Sequence, residues 1–513
     1  MPTQSAPVTH QVQLFKLMAE PLSSMDEIND VLRQGVDINC VNGEGLTPLL
    51  QLTKRGHSRK DFMDAIRLLL NQEGIDVNCK DQEGWNALFY LCRLYHQKNL
   101  VDIVRLLIQH GIDVTWKNQL RQNALLILCL YYPQENLIDI VRLLIDNGID
   151  IHWQDKDEWN ALMFLCTNYY GDNLIDLVQL LIGNGIDVNC RTQVGWNALH
   201  CLCKNYKNNN LIGIVRLFIE AGIDINCVNH GGWNALQILC GNYAEENLIN
   251  AVQLFIDNGI DVNCRNNDGW NALYCLCKNY KNVNLIDIAR ILIRNEIVVN
   301  CRTQDGWNAL HILCGSYAGK NLINVVQLFI DNRIDVNCRT KDGWNALHSL
   351  CKRYKNINLI DVVRLLIKAG IDINCVNHDG WNALQILCGN YAEENLIDVV
   401  QLFIDNRIDV NCRTKDGWNA LHGLCKNYKN FNIIDLIRLL IGAGIDINCR
   451  NQRGWNALHI FCANYVDENL TEVVQFFIDN GIKINGKIYG HSGWNALHIL
   501  CRHNSSIKLI DTL

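Results

Sequence analysis

Residues 303–340 read TQDGWNALHILCGSYAGKNLINVVQLFIDNRIDVNCRT, and this stretch decides the fold. Gly306 marks a turn. Ala309, Leu310, Leu313, Cys314 and Tyr317 then fall on one face at helical spacing, which predicts a first helix. A polar loop, 318–321, separates it from Leu322, Val325, Val326, Phe329 and Ile330, a second stripe of the same period. In the following unit Gly370 stands where a left-handed residue would end the second helix. Ile371-Asp372-Ile373-Asn374-Cys375 then runs extended towards the next turn. One unit cannot bury both stripes alone, so neighbouring units must stack.

Outward from this stretch the same phrase recurs. Trp stands at 159, 196, 233, 270, 307, 344, 381, 418 and 455, always 37 residues apart. Trp85 lies two periods before Trp159, with Gln122 in the slot between them. Trp494 follows Trp455 by 39, because 487–491 carries a two-residue insertion. An upstream copy reads Gly45-Leu46-Thr47-Pro48-Leu49. A longer period is superimposed: Lys-Asn-Tyr-Lys-Asn at 204–208 and 278–282 alternates with Gly-Asn-Tyr-Ala-Glu-Glu at 241–246 and 389–394. The duplicated block is therefore 74 residues long.

The pattern resembles the ankyrin repeat. Asn42-Gly43-Glu44-Gly45-Leu46-Thr47-Pro48-Leu49 follows that family's opening, and Gly185-Ile186-Asp187-Val188-Asn189-Cys190 follows its close. Most copies carry Asn-Ala for Thr-Pro and Leu-Cys for the paired alanines, and His is kept at 200, 311, 348, 422, 459 and 498. The resemblance covers about residues 10–513 and implies an all-α repeat solenoid of helix–loop–helix units with extended hairpin fingers, curved into a superhelix. The expected organisation is a disordered start (1–9), a capping helix pair (10–41) and an array of about thirteen units (42–513), the last incomplete. The units are longer than the family's usual ones. Tyr280 lies three residues after Cys277 and seven after Leu273, which predicts a first helix extended by one turn with the Tyr on its buried edge.

The resemblance also implies a function. In ankyrin arrays the first helices and finger tips line a concave groove that binds other proteins, and the expected role here is a protein–protein interaction scaffold. The alternatives are the recognition arm of a larger protein, such as an ion channel or ubiquitin-ligase adaptor, and a mainly mechanical spring. The groove slots of one unit are Gln304, Asp305, Trp307, Gly315 and Ser316. The slot after the turn Gly is Trp in eleven units, including Trp159, Trp307 and Trp344. Such a column of indoles reads as packing between repeats, or as a binding surface if one face stays open. The least regular stretch is 113–159, where Trp116 and Trp153 replace a small Cys and Arg121-Gln122 replaces Gly-Trp. Divergence within a copied array marks Trp116, Arg121, Gln122 and Trp153 as candidate partner contacts.

Composition narrows the remaining classes. A net charge of −7, from 46 basic and 53 acidic residues, offers no basic excess for nucleic acid. No apolar run reaches the roughly 20 residues that span a bilayer, and the short polar start carries no secretory h-region. The expected location is the reducing cytoplasm. The 24 cysteines fit this, since most fill small core slots of the repeat and equivalent slots stand about 8–10 Å apart, too far to bridge. His311 and Cys314 share a helical face, but a structural metal site wants four converging ligands, so no metal or cofactor is expected. Catalytic motifs such as G-x-S-x-G, a phosphate loop or H-E-x-x-H are missing, and no enzyme activity is expected. Lys207 is placed to face Glu245 and Glu246 of the neighbouring loop. The sequence stops at Leu513 as a second helix begins, which predicts fraying from about Ser505 and an uncapped end open to self-association.

Overall fold

The computed structural model describes residues 6–205, 210–242, 248–279, 284–316, 321–353, 359–390, 396–427, 433–464, 470–489 and 493–503. These form 27 helices and, among the described residues, no strand. They divide into two compact units, one of residues 1–243 with 250–261, the other of 244–249 with 262–513. Within each, helix pairs repeat as an all-α solenoid.

The elements follow from local chemistry. Asn of the Trp-Asn-Ala-Leu phrase caps the first helices; the His311 N–H donates to Asn308 Oδ1 at 3.1 Å. The same side chain spends its amide on the finger of its own unit, Asn308 Nδ2 donating to Asp335 O at 3.1 Å. Thr47 caps its helix in the usual way, with Leu50 N–H donating to its hydroxyl at 3.4 Å, but has no amide to give. Asn in place of Thr therefore joins two parts of one unit. Leu322, Val325, Val326 and Phe329 of the second helix are fully buried, as the stripe requires.

Glycine ends most second helices at positive φ, Gly370 at +83°. Glu296, Arg333 and Arg407 hold the same slot at φ of about +60°. A Cβ there meets nothing within 4 Å in the glycine copies, so only the backbone preference opposes the substitution. The finger that follows is a pair of turns: Cys375 N–H donates to Asp372 O at 3.3 Å and Gly380 N–H to Asn377 O at 3.0 Å.

The added length of the unit does not extend the first helix. The helix Ala87–Leu94 stops before Tyr95, which is extended at φ −100°, ψ 97° and yet only 5% exposed. Tyr132 and Tyr169 repeat this arrangement. The ring is buried as the sequence suggests, but its hydroxyl has work that a further helical turn would not allow. Tyr132 Oη donates to Gln97 O of the preceding loop at 3.1 Å or to Asn136 Oδ1 at 2.9 Å. Asn136 Nδ2 in turn donates to Lys98 O at 2.9 Å. The extra residues thus form a tie between neighbouring loops. Tyr280, Lys207, Glu245 and Glu246 lie outside the described residues, as do residues 504–513.

At the start, helices Ala6–Ala19 and Met25–Arg33 pack together, the second capped by Ser24 and Glu27 in a reciprocal box. The side chain of Arg59 is completely buried beneath the turn between them. Its guanidinium donates to Leu17 O, Glu20 O and Ser23 O at 2.7–3.0 Å and pairs with Asp61 at 2.9 Å. Helix Ala496–His503, the last described, buries Ala496, Ile499 and Leu500.

Candidate protein-binding face

Three sets of bonds recur at junctions between neighbouring units and fix which side chains remain for a partner. The first is a finger-to-finger backbone bond: Lys341 N–H donates to Asp305 O, and His378 N–H to Asp342 O, both at 2.8 Å. The second is an asparagine bridge. Asn337 Nδ2 donates to Gly370 O at 2.9 Å while its Oδ1 accepts Asp372 N–H at 2.6 Å, so one side chain serves the helix end and finger of the next unit. The third comes from the groove helix: His311 Nε2 lies 3.1 Å from Trp344 O, and a carbonyl only accepts, so Nε2 carries the proton.

His200, His348 and His422 make the same bond to Trp233, Trp381 and Trp455 at 2.9–3.0 Å. Burial, the largest cause, pushes each of these four imidazoles down to about 4, against partial relief from the accepting carbonyl. Gln385 occupies the slot in an alternate unit and donates to Trp418 O at 2.9 Å. The histidines therefore act as neutral hydrogen-bond donors, and their repetition is explained by stacking.

The tryptophans have a mixed position. Trp307 and Trp344 are half-buried, each indole resting on the following histidine with ring centroids 5.6 Å apart. Trp159 is also half-buried and stacks on Phe164 at 5.2 Å. In alternate units from Trp196 to Trp418 a lysine from the end of the first helix covers the ring. Lys278, Lys352 and Lys426 hold their Nζ atoms 3.9, 4.6 and 5.3 Å from the centroids of Trp270, Trp344 and Trp418. In the intervening units this slot is Gly315, Gly389 and Ala463. The surface there drops into recesses of about 430 Å³ and 700 Å³, floored by Gly315 and Gly389 and walled by indoles.

The divergent stretch is arranged differently. The Trp116 and Trp153 indoles point their N–H groups back at the preceding finger, and Lys80 and Lys117 ammonium groups sit 3.4 Å from the ring centroids. Arg121 is exposed in the turn-glycine slot at φ +59°. Gln122 is buried, its N–H donating to Asn118 Oδ1 at 2.8 Å. The structure brings Arg121 and Trp153 together, the guanidinium 5.2 Å from the ring, and leaves Trp307 and Trp344 together at a separate recess.

Sequence reading passed over the lysines at the groove-helix ends, the asparagine bridges and Arg59. The lysines carried a readable signal, since they alternate with glycine at the 74-residue period. Arg59 carried none, being a single residue outside the repeated phrase.

All 24 cysteines are free thiols, and those on the first helices are buried except Cys501. Among the described residues no group of His, Cys, Asp and Glu is placed to hold a metal, and no helix is long and apolar enough to cross a membrane. No curated protein matches the chain. The family model for ankyrin repeats (3 copies) matches residues 18–118, 125–226, 169–245, 241–335, 313–413 and 424–513. These matches span most of the sequence and agree with the repeating helix pairs, and the chain belongs to the ankyrin-repeat family.

Proposed function

We propose that this chain is a protein-binding scaffold whose partners sit on the face made by first helices and finger tips, chiefly within residues 262–503. Ankyrin repeats are generally protein–protein interaction modules, typically without enzymatic activity. The observation that carries the reading is the row of half-buried indoles, Trp307, Trp344, Trp381, Trp418 and Trp455, opening onto recesses along one face. Large aromatic side chains left partly exposed are the residues that most often anchor an interface. The second helices offer little competition, because their apolar stripes are consumed in stacking.

Trp159 belongs to the same column in the first compact unit. Trp116, Arg121 and Trp153 form a second candidate contact there, through their exposed edges; buried Gln122 would support it from beneath. Hydrogen exchange on the full chain with a captured partner tests the reading. New protection at the first helices and finger tips supports it, and protection confined to the second helices sinks it.

A further inference from the structure

The finger tips of residues 262–503 carry more acid than base. An aspartate stands before the turn glycine in five consecutive units, from Asp268 to Asp416, against three basic side chains, Lys341, Lys415 and Arg453. Asp305 pairs with Lys341 at 3.9 Å. Asp342, Asp379 and Asp416 form no ion pair among the described residues. All three line the 700 Å³ recess, together with Lys352, Lys426 and the indole of Trp381. His378 also borders it; with that ring uncharged, three carboxylates stand against two ammonium groups and one negative charge is left over. The neighbouring recesses lean the other way. The one at Trp307 sets Asp342 against Lys278 and Lys352, and the one at Trp455 sets Asp416 against Lys426 and Arg453.

The same recess lacks a cation that its neighbours supply for themselves. Lys352 and Lys426 rest on Trp344 and Trp418, at 4.6 and 5.3 Å from the ring centroids. Trp381 comes between these two in the column, and among the described residues no ammonium or guanidinium group lies over its ring. Its own slot is Gly389. An added Cβ there would come no nearer than 4.0 Å to Asn427 Nδ2 or Gly423 Cα, so the chain leaves this space open. The array thus displays on Trp344 and Trp418 the group that such an indole holds, and leaves Trp381 without it beside three unpaired carboxylates.

We propose that this recess takes a lysine or arginine side chain of a partner polypeptide, its cation on the Trp381 indole and its N–H donors turned towards the finger carboxylates. The proposal rests on the groove reading above and adds the chemistry of one contact. A cation over an indole is attracted by the ring face, and more strongly once a partner excludes water. One guest cation also leaves three carboxylates with three cations. An anionic side chain would add to the excess charge, and an apolar one would cover the carboxylates without pairing them, at a desolvation cost.

The test is fluorine NMR of the full chain carrying fluorinated tryptophan, at about pH 8, where an ordinary imidazole is uncharged. Trp381→Phe and Trp307→Phe identify the two signals by their loss. N-acetyl-arginine amide is the cationic probe, N-acetyl-citrulline amide a neutral probe of nearly the same shape, and N-acetyl-glutamate amide the anionic one. The arginine probe is expected to shift the Trp381 signal saturably and at least roughly tenfold more tightly than the citrulline probe, with affinity falling as salt rises. The Trp307 signal should not saturate over the same range. Asp379→Asn with Asp416→Asn is expected to lose roughly tenfold or more, since the recess then carries the positive excess of its neighbours. This paired variant should melt as the parent does, because both side chains are exposed. Gly389→Lys should abolish the shift, its own ammonium taking the ring as Lys352 takes that of Trp344.

Equal or tighter binding of the citrulline or glutamate probe, a Trp381 signal unmoved by arginine, a response at Trp307 as strong as at Trp381, or unchanged affinity in the paired asparagine variant overturns the proposal. Hydrogen exchange with the captured partner decides the groove separately. Protection of the first helices with an unmoved Trp381 signal removes the cationic guest and leaves the groove standing. Protection confined to the second helices removes both.

Discussion

The indole N–H of Trp116 donates to the carbonyl of Gly84 at 2.8 Å, across the junction between two neighbouring units. In later units the corresponding carbonyl meets a thiol: Cys301 Sγ lies 3.4 Å from Gly269 O, and Cys449 Sγ lies 3.6 Å from Gly417 O. Trp116 and Trp153 thus keep a bond of the array while replacing a small residue by a large one. The change accompanies another. Thr115 and His152 stand in the asparagine-bridge slot, and Thr115 bonds only its own Asp113 at 2.7 Å.

Restoring the asparagine should therefore stabilise the first compact unit. Thr115→Asn places an amide where Gly148 O and Asp150 N–H can take it up, as Gly111 O and Asp113 N–H do for Asn78. The expected gain is about 1 kcal/mol, since two exposed hydrogen bonds are regained against some side-chain ordering. Trp116→Phe should cost a similar amount by leaving Gly84 O without its donor. Urea unfolding of the single variants reads both; an unchanged midpoint for Thr115→Asn would remove the bridge from the account.

Acid should loosen the stack through its histidines. The four imidazoles held near 4 remain neutral in the folded chain while the unfolded chain takes up protons below about 6.5. Stability is complete above that value and is lost as pH falls towards 4, by on the order of 2 kcal/mol per histidine at pH 5. Arg191, Arg302, Arg339 and Arg413 beside these rings add to the depression that burial causes. Replacing His200, His311, His348 and His422 by Gln keeps a donor for the next unit, as Gln385 does naturally. The fourfold variant is expected to flatten the dependence of melting temperature on pH between 6.5 and 4; the same slope as the parent would show that other groups carry it.

Arg59→Met should detach the first two helices from the array. The substitution keeps much of the buried volume but removes the guanidinium bonds to Leu17 O, Glu20 O and Ser23 O, leaving the single Ser23 hydroxyl to serve one of the first two, and leaves Asp61 unpaired. Breaking such a buried pair costs about 3–5 kcal/mol. Limited proteolysis is expected to cut within residues 20–24 in the variant and not in the parent. Arg59→Lys should behave nearly as badly, because a single ammonium cannot reach the same set of acceptors. Resistance of both variants to cleavage would place the attachment elsewhere.

Glycine should matter unequally at its two recurring slots. A Cβ on finger Gly306 would lie 3.0 Å from Arg339 O and 3.1 Å from Thr340 Cα, whereas one on Gly370 meets nothing within 4 Å. Both residues have φ near +80°, so both alanine variants carry the backbone penalty of about 1 kcal/mol. Gly306→Ala adds a displacement of the neighbouring finger and should lose roughly 1–3 kcal/mol more. Equal denaturation midpoints for the two variants would mean that the fingers yield freely.

The sequence by itself determined the periodicity, the two helices of each unit, the faces they bury and the need to stack. Those features follow from short-range spacing: Leu322, Val325, Val326 and Phe329 form a stripe whatever lies beyond them. It also marked Trp307 and Trp344 as members of a column. Only the tertiary structure decided what the recurring polar residues do. Asn337, His311 and Tyr132 find their partners 33 to 35 residues away, in the adjacent unit, and no local period tells which atom of a neighbour a side chain will reach. The first helix shows the same division. Its apolar spacing allows one more turn, but Tyr95 turns extended instead, because its hydroxyl meets Asn99 at 2.8 Å in the loop that an added turn would have consumed. The lysine row lies between these cases. Its period is written in the sequence, yet that Lys352 rests on Trp344 and borders an open recess depends on how closely successive first helices pack, which stacking alone sets.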